Sequence, residues 1–107
     1  MLEDNKQIAK IFRALCDETR VEIIKLLKNQ EMCACHISDN LKLSQSKLSY
    51  HMKILCESNI IECWNEGKWT HYKINKEGSE NAILILKKIT ELNIVSKEFT
   101  CSKETIK

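Results

Sequence analysis

Apolar residues recur along this chain in two periods, and the change from one to the other divides it. Ile8, Ile11, Phe12 and Leu15 fall at i, i+3, i+4 and i+7, one stripe of an amphipathic helix. Asp17 stands where a helix N-cap belongs, and Glu18 follows in the first turn. Val21, Ile23, Ile24 and Leu27 then carry a second helical pattern as far as Asn29-Gln30. A shorter segment from about Cys35 to Leu41 holds Ile37 and Leu41 one turn apart. Lys42-Leu43 reads as a brief turn, and Ser44 as the N-cap of a helix that buries Leu48, Met52 and Leu55. Two helices joined by so short a turn predict a helix-turn-helix.

Asn59 ends that helix in the left-handed conformation Asn tolerates, and from Ile60 the period drops to two. Ile61 and Cys63 alternate with Glu62 and Trp64; after Asn65-Glu66-Gly67-Lys68, Thr70, Tyr72 and Ile74 alternate with Trp69, His71 and Lys73. Two alternating runs about a glycine-bearing turn predict a β-hairpin, with Cys63 on its inward side. Gly78-Ser79 precedes a last helix over about 80–95, striped by Ala82, Ile85, Leu86, Ile89 and Leu92. Ile83 and Leu84 fall off that stripe, so the helix is apolar around most of its girth, which suggests a dimer interface. The order of elements predicts a winged helix, mainly α with a small β-hairpin. One domain covers 1–95, followed by a flexible C-terminal tail over 96–107.

Composition narrows the function. No proline and only two glycines, Gly67 and Gly78, argue against a many-turned β fold and exclude a phosphate-cradling glycine loop. The longest apolar run, Ala82 to Leu86, is far short of a membrane span, so no membrane partner is expected. Met1-Leu2 leads straight into Glu3, Asp4 and Asn5, which predicts no leader and a reducing, cytoplasmic setting. Six cysteines there favour metal or redox chemistry over disulfides. The net charge of +2 is unevenly spread. Residues 42–76 carry six Lys against three Glu, whereas 1–41 carry six basic against seven acidic residues and 77–107 five of each. The positive segment coincides with the second helix of the helix-turn-helix and the hairpin, where a polyanion would bind.

That helix turns Ser44, Gln45, Ser46, Lys47, Ser49, Tyr50 and Lys53 outward. Short hydroxyls allow close approach to phosphates, Gln pairs bidentately with adenine, and Lys neutralises phosphates. On the hairpin, Lys68, His71 and Lys73 could lie along a minor groove. Phe12-Arg13-Ala14-Leu15-Cys16-Asp17-Glu18-Thr19-Arg20 resembles the opening helices of ArsR-type metalloregulatory repressors. Leu43-Ser44-Gln45-Ser46-Lys47-Leu48-Ser49-Tyr50-His51-Met52 resembles their recognition helix, and Gly67-Lys68-Trp69-Thr70-His71-Tyr72 their wing. The likeness runs in register from about Ile8 to Ile74. It implies a homodimeric winged helix that binds an imperfect palindrome in double-stranded DNA and leaves when an inducer binds. By position it implies DNA contacts from Ser44, Gln45, Ser46, Ser49, Lys53 and Lys68; His51, which precedes the buried Met52 and sits partly toward the core, reads as structural.

Glu31-Met32-Cys33-Ala34-Cys35-His36-Ile37 resembles the Cys-x-Cys segment of that family's arsenic- and cadmium-sensing branches. Thiolates select soft ions, and a helix N-terminus should lower both thiol pKa values. On a regular helix i and i+2 lie ~200° apart, so an ion held by both sulfurs should have to unwind the first turn. The arsenic branch often has a third cysteine where Ser38 stands here. Cys101 in the tail is the expected third ligand, with Cys16 and Cys56 as rivals. The cadmium branch's N-terminal cysteines and the zinc branch's histidines on the last helix have no counterpart in residues 1–15 or 79–95. The expected inducer is As(III) or Sb(III), with Cd(II), Pb(II) or thiol oxidation as alternatives, and no cofactor is required. An enzyme is not expected: Cys33-Ala34-Cys35 lacks a redox motif's two-residue spacer, and no catalytic triad or carboxylate pair stands out. A bare DNA-binding module without inducer is the remaining reading.

Overall fold

The computed structural model describes residues 4–93. Helix α1 (Asn5–Arg13) is capped by Asp4, whose carboxylate accepts from the Gln7 N–H. Helix α2 (Glu18–Leu27) is capped by Asp17, which accepts from Thr19 at 2.8 Å and Arg20 at 3.4 Å. These bonds hold the Asp17 carboxyl below its usual range, against the opposing effect of desolvation. A two-residue strand β1 (Met32–Cys33) leads into α3 (Ala34–Leu41), and Lys42, left-handed at φ 55°, turns the chain into α4 (Gln45–Glu57). Ser44 caps α4 as expected, and Asn59 is left-handed at φ 67°. Strands β2 (Ile61–Glu66) and β3 (Trp69–Ile74) form the hairpin about Gly67, followed by α5 (Lys76–Ile89). The sheet runs β1-β3-β2, antiparallel throughout, with Cys33 opposite His71 and Met32 opposite Tyr72. Strand β1 has no counterpart in the sequence reading, because two residues carry no periodicity.

The core gathers Ile11, Ile23, Leu27, Ile37, Leu48, Met52, Leu55, Ile61 and Ile85 from all five helices and the base of the hairpin. Several expected core positions lie elsewhere. On α2 the buried side is Arg20, Ile23 and Leu27, while Val21 is exposed. Leu15 lies beyond the end of α1 and is exposed. Cys63 is also exposed, because β2 reaches past the core after Ile61 and its alternation has nothing left to pack against. The last helix begins and ends earlier than its stripe suggested, capped by Asn75. Its first turn brings Gly78 onto the backbone of Asn59, where any Cβ would collide with the carbonyl. Of the stripe only Ile85 is buried; Leu86, Ile89 and Leu92 face outward with Ile83 and Leu84.

Candidate nucleic-acid interface and thiolate site

Helix α4 is oriented by its inner face, where Leu48, His51, Met52, Ile54 and Leu55 are buried. His51 does more than fill space. The Arg20 guanidinium reaches its Nδ1 at 3.0 Å and, through the other terminal nitrogen, the Arg13 carbonyl at 3.1 Å. Arginine only donates, so Nδ1 must accept and the ring is neutral, protonated at Nε2. Burial first, and the Arg20 and Lys47 charges after it, push the His51 pKa down against the pull of Asp17. One buried arginine thus ties α2, the end of α1 and α4 together. Asp17-Glu18-Thr19-Arg20 read as a helix start, and nothing in its pattern marks Arg20 as buried.

Every α4 residue assigned to DNA lies on the opposite, exposed face: Ser44, Gln45, Ser46, Lys47, Ser49, Tyr50 and Lys53. Gln45, Ser49 and Lys53 form one row at i, i+4 and i+8, with Ser46 and Tyr50 on the adjacent row. Ser44 Oγ accepts from the Lys47 N–H at 3.1 Å, leaving its proton free to donate. At the hairpin tip Lys68 is exposed. The other wing candidates are engaged within the hairpin. His71 stacks on Trp64 and meets Glu66 at 3.2 Å, while Lys73 meets Glu62 at 3.7 Å and lies 5.6 Å from the Trp64 ring centre. These contacts stiffen the wing and leave Lys68 as its projecting cation.

The two thiols are already in contact. Cys33 is the N-cap of α3, with extended backbone (φ −85°, ψ 160°), and Cys35 stands in the first turn. A cap residue is outside the helical spiral, so the sulfurs lie 2.9 Å apart, and the expected ~200° separation does not apply. The two pKa values move in opposite directions. The Cys35 thiol, then the His36 backbone N–H, draw the Cys33 pKa down, whereas donating to Cys33 pushes that of Cys35 up. Of the lowering expected at both thiols, only that at Cys33 occurs. Among the described residues the third donor at the pair is His36: its ring nitrogen and both sulfurs all lie within 4.8 Å of one another. Sequence reasoning missed it, because an exposed histidine carries no periodic signal. Cys101 lies outside the described residues. Cys16 is exposed between α1 and α2, and Cys56 hydrogen-bonds Cys63. Burial, then Cys63, pushes the Cys56 thiol up to about 12, so it is no ready thiolate. Cys35 lines a cleft of about 330 Å³ together with Ser38, Asp39, Gln45 and Lys68. Thiol, recognition helix and wing tip share one cavity.

The bacterial regulatory proteins of the arsR family match residues 17–62. The arsenical resistance operon repressor of Bacillus subtilis is 40% identical over 67 residues, 62% of this chain and 64% of that protein. Its Staphylococcus aureus counterpart is 31% identical over 98 residues, 90% of this chain and 89% of that protein. A cadmium resistance regulatory protein homologue, also from S. aureus, is 34% identical over 71 residues, 65% and 59% of the two chains. Among solved structures, an ArsR-family transcriptional regulator superposes with a TM-score of 0.73 at 22% identity, covering 85% of this chain and 94% of the other. A homodimeric winged helix-turn-helix DNA-binding domain from Mycobacterium bovis gives 0.64 at 22% identity, covering 85% and 90%. The fold is the winged helix-turn-helix, and the chain belongs to the arsR family of bacterial regulatory proteins.

Proposed function

We propose that this chain is a homodimeric repressor that binds a palindromic operator through α4 and Lys68 and leaves it when arsenite or antimonite binds Cys33 and Cys35. The observation that carries this is the 2.9 Å sulfur pair at the start of α3, in the same cleft as Gln45 and Lys68. The arsenical names of the relatives support the metalloid. The exposed Ile83, Leu84, Leu86 and Ile89 on α5 support dimerisation, since a stripe of that size rarely faces water.

Coupling follows from where Cys33 sits. It belongs both to the cap of α3 and to β1, paired with His71 of the wing. An ion bonded to both sulfurs at ~2.3 Å would part them to more than ~3 Å at any bond angle of about 90° or wider, so 2.9 Å would not persist. Parting them shifts the start of α3 against β1, and with it the wing against α4. Ligand and operator then favour different positions of one shared element, as allosteric linkage requires. A cytoplasmic location follows from this function.

The test is fluorescence anisotropy of a labelled operator with reduced protein, titrated with arsenite, antimonite and cadmium in turn. Release by the metalloids, and its loss after thiol alkylation, are expected. Full operator binding at saturating arsenite would refute the proposal.

A further inference from the structure

We infer that Cys56 and Cys63 form a second, separate thiol pair, which a hydroperoxide closes to a disulfide joining the end of α4 to the hairpin. The local fold brings these two residues together. After Cys56 the chain leaves α4 through a turn held from both sides. The Ser58 hydroxyl donates to the Leu55 carbonyl at 2.6 Å and accepts from the Ile60 N–H at 3.1 Å. The N–H of the left-handed Asn59 donates to the Cys56 carbonyl at 3.0 Å. Ser58 and Ile61 are buried, so β2 starts anchored against α4. Cys63 is the third residue of that strand and hydrogen-bonds Cys56. Tyr72 stands opposite Cys63 in the ladder and packs on the core beside Cys56. Both sulfurs lie near enough to act on its hydroxyl, whose pKa is raised first by burial and then by Cys56 and Cys63.

The two thiols differ as the reaction requires. Cys63 is exposed and Cys56 half-buried, so the oxidant meets Cys63 first. With hydrogen peroxide, the Cys63 thiolate attacks one oxygen and the O–O bond breaks. Cys63 becomes a sulfenic acid, and the other oxygen leaves as water with the proton the thiol gave up. The Cys56 sulfur then attacks the Cys63 sulfur. The S–S bond forms, the S–O bond breaks, and the hydroxyl leaves with the Cys56 proton as a second water. Each sulfur gives one electron, and the two reduce one peroxide. The burial that keeps Cys56 protonated also shields it, so the neighbouring sulfenic acid is the electrophile within its reach. Closing Cys33 and Cys35 would join only the cap and first turn of α3, whereas this bond ties α4 to β2. The wing and α4 are the elements whose relative shift the proposed release requires. That consequence rests on the proposed function; the oxidation itself does not.

The test treats the reduced full chain, Cys63→Ser and Cys56→Ala with hydrogen peroxide in small excess, then alkylates and maps the free thiols by mass spectrometry. Lys53 and Lys68 flank a peptide that holds Cys56 and Cys63 and no other cysteine. From the parent that peptide should lose two hydrogens, resist alkylation and regain both thiols with a dithiol reductant. Cleavage after Glu57 should leave its two pieces joined. Cys63 is exposed, so Cys63→Ser should fold as the parent does and keep Cys56 as a free thiol. Cys56→Ala should leave Cys63 as a sulfenic acid that dimedone traps. Peroxide should raise the thermal midpoint of the parent more than that of Cys63→Ser, because only the parent gains a bond between α4 and the hairpin. A parent in which Cys63 advances to sulfinic acid while Cys56 stays free would overturn the inference. So would Cys63 joined to a cysteine other than Cys56. No arsenite or operator enters this experiment, so its failure leaves the proposed function standing, and failure of arsenite release leaves this pair standing.

Discussion

At the residue scale, the proposed function divides the outer face of α4 into groups that would read bases and groups that would hold phosphates. Gln45 opens the row at the N-terminal end of the helix, next to the cleft, and Lys53 stands two turns further on. Gln45→Ala should lose ~1–3 kcal/mol on the cognate operator, as expected for a bidentate contact, and little on random DNA. Lys53→Ala should weaken both about equally and flatten the salt dependence. Binding curves on both DNAs at two salt concentrations separate them; equal losses for both variants would reassign the base reader. On the inner face, His51 titrates below its ordinary value of 6.5, chiefly through burial. A histidine held down in the folded state contributes stability that is present above 6.5 and is lost as pH falls through the folded value. The thermal midpoint should therefore drop between pH 7.5 and 5. His51→Gln, which keeps an acceptor for Arg20 but cannot be protonated, should flatten that part of the profile. An identical slope in both proteins would mean that other groups govern acid sensitivity.

At the scale of elements, what the sequence made legible was whatever repeats or caps. The two helix N-caps Asp17 and Ser44, the left-handed Asn59 and the alternation across the hairpin all stand where their chemistry places them. The features that stayed hidden depend on contacts between distant segments. Strand β1 exists because Met32 and Cys33 meet Tyr72 and His71, and the thiol contact exists because Cys33 caps α3 rather than joining it. Arg20 is buried because the Arg13 carbonyl and His51 Nδ1 accept hydrogen bonds from its guanidinium. Cys63 followed the alternation but not the core, since the hairpin outgrows what it packs on. The fit of α5 against the end of α4 is another such contact. Gly78→Ala would force a methyl into the Asn59 carbonyl, and should destabilise the fold by ~1–3 kcal/mol, the usual cost of overpacking. A urea midpoint unchanged from the parent would show that α5 can shift without loss.

At the scale of the whole molecule, the proposed function gives the exposed apolar side of α5 to a second copy of the chain and the exposed polar side of α4 to DNA. Ile83 is 67% exposed and Leu84 51%, on a helix of which Ile85 alone among its large apolar residues is buried. Ile83→Glu should leave the helical content intact, convert the protein to a monomer at micromolar concentration, and cost most of its affinity for a full palindrome. A variant that sediments with the parent would place the dimer contact on another surface.

Coupling of ion binding to operator release through the Cys33–Cys35 pair, as proposed, is read directly in one titration. Operator-bound fraction is followed against arsenite concentration for the parent, Cys33→Ser and Cys35→Ser at fixed salt and reductant. Serine at Cys33, the helix cap, is well tolerated, and Cys35 is exposed, so operator affinity without arsenite should stay close to that of the parent. Linkage of this kind is typically worth ~1–3 kcal/mol, and losing one sulfur should remove most of it. Arsenite should release the parent and release neither variant, or nearly so. Release of both variants at the parent's arsenite concentration would contradict it.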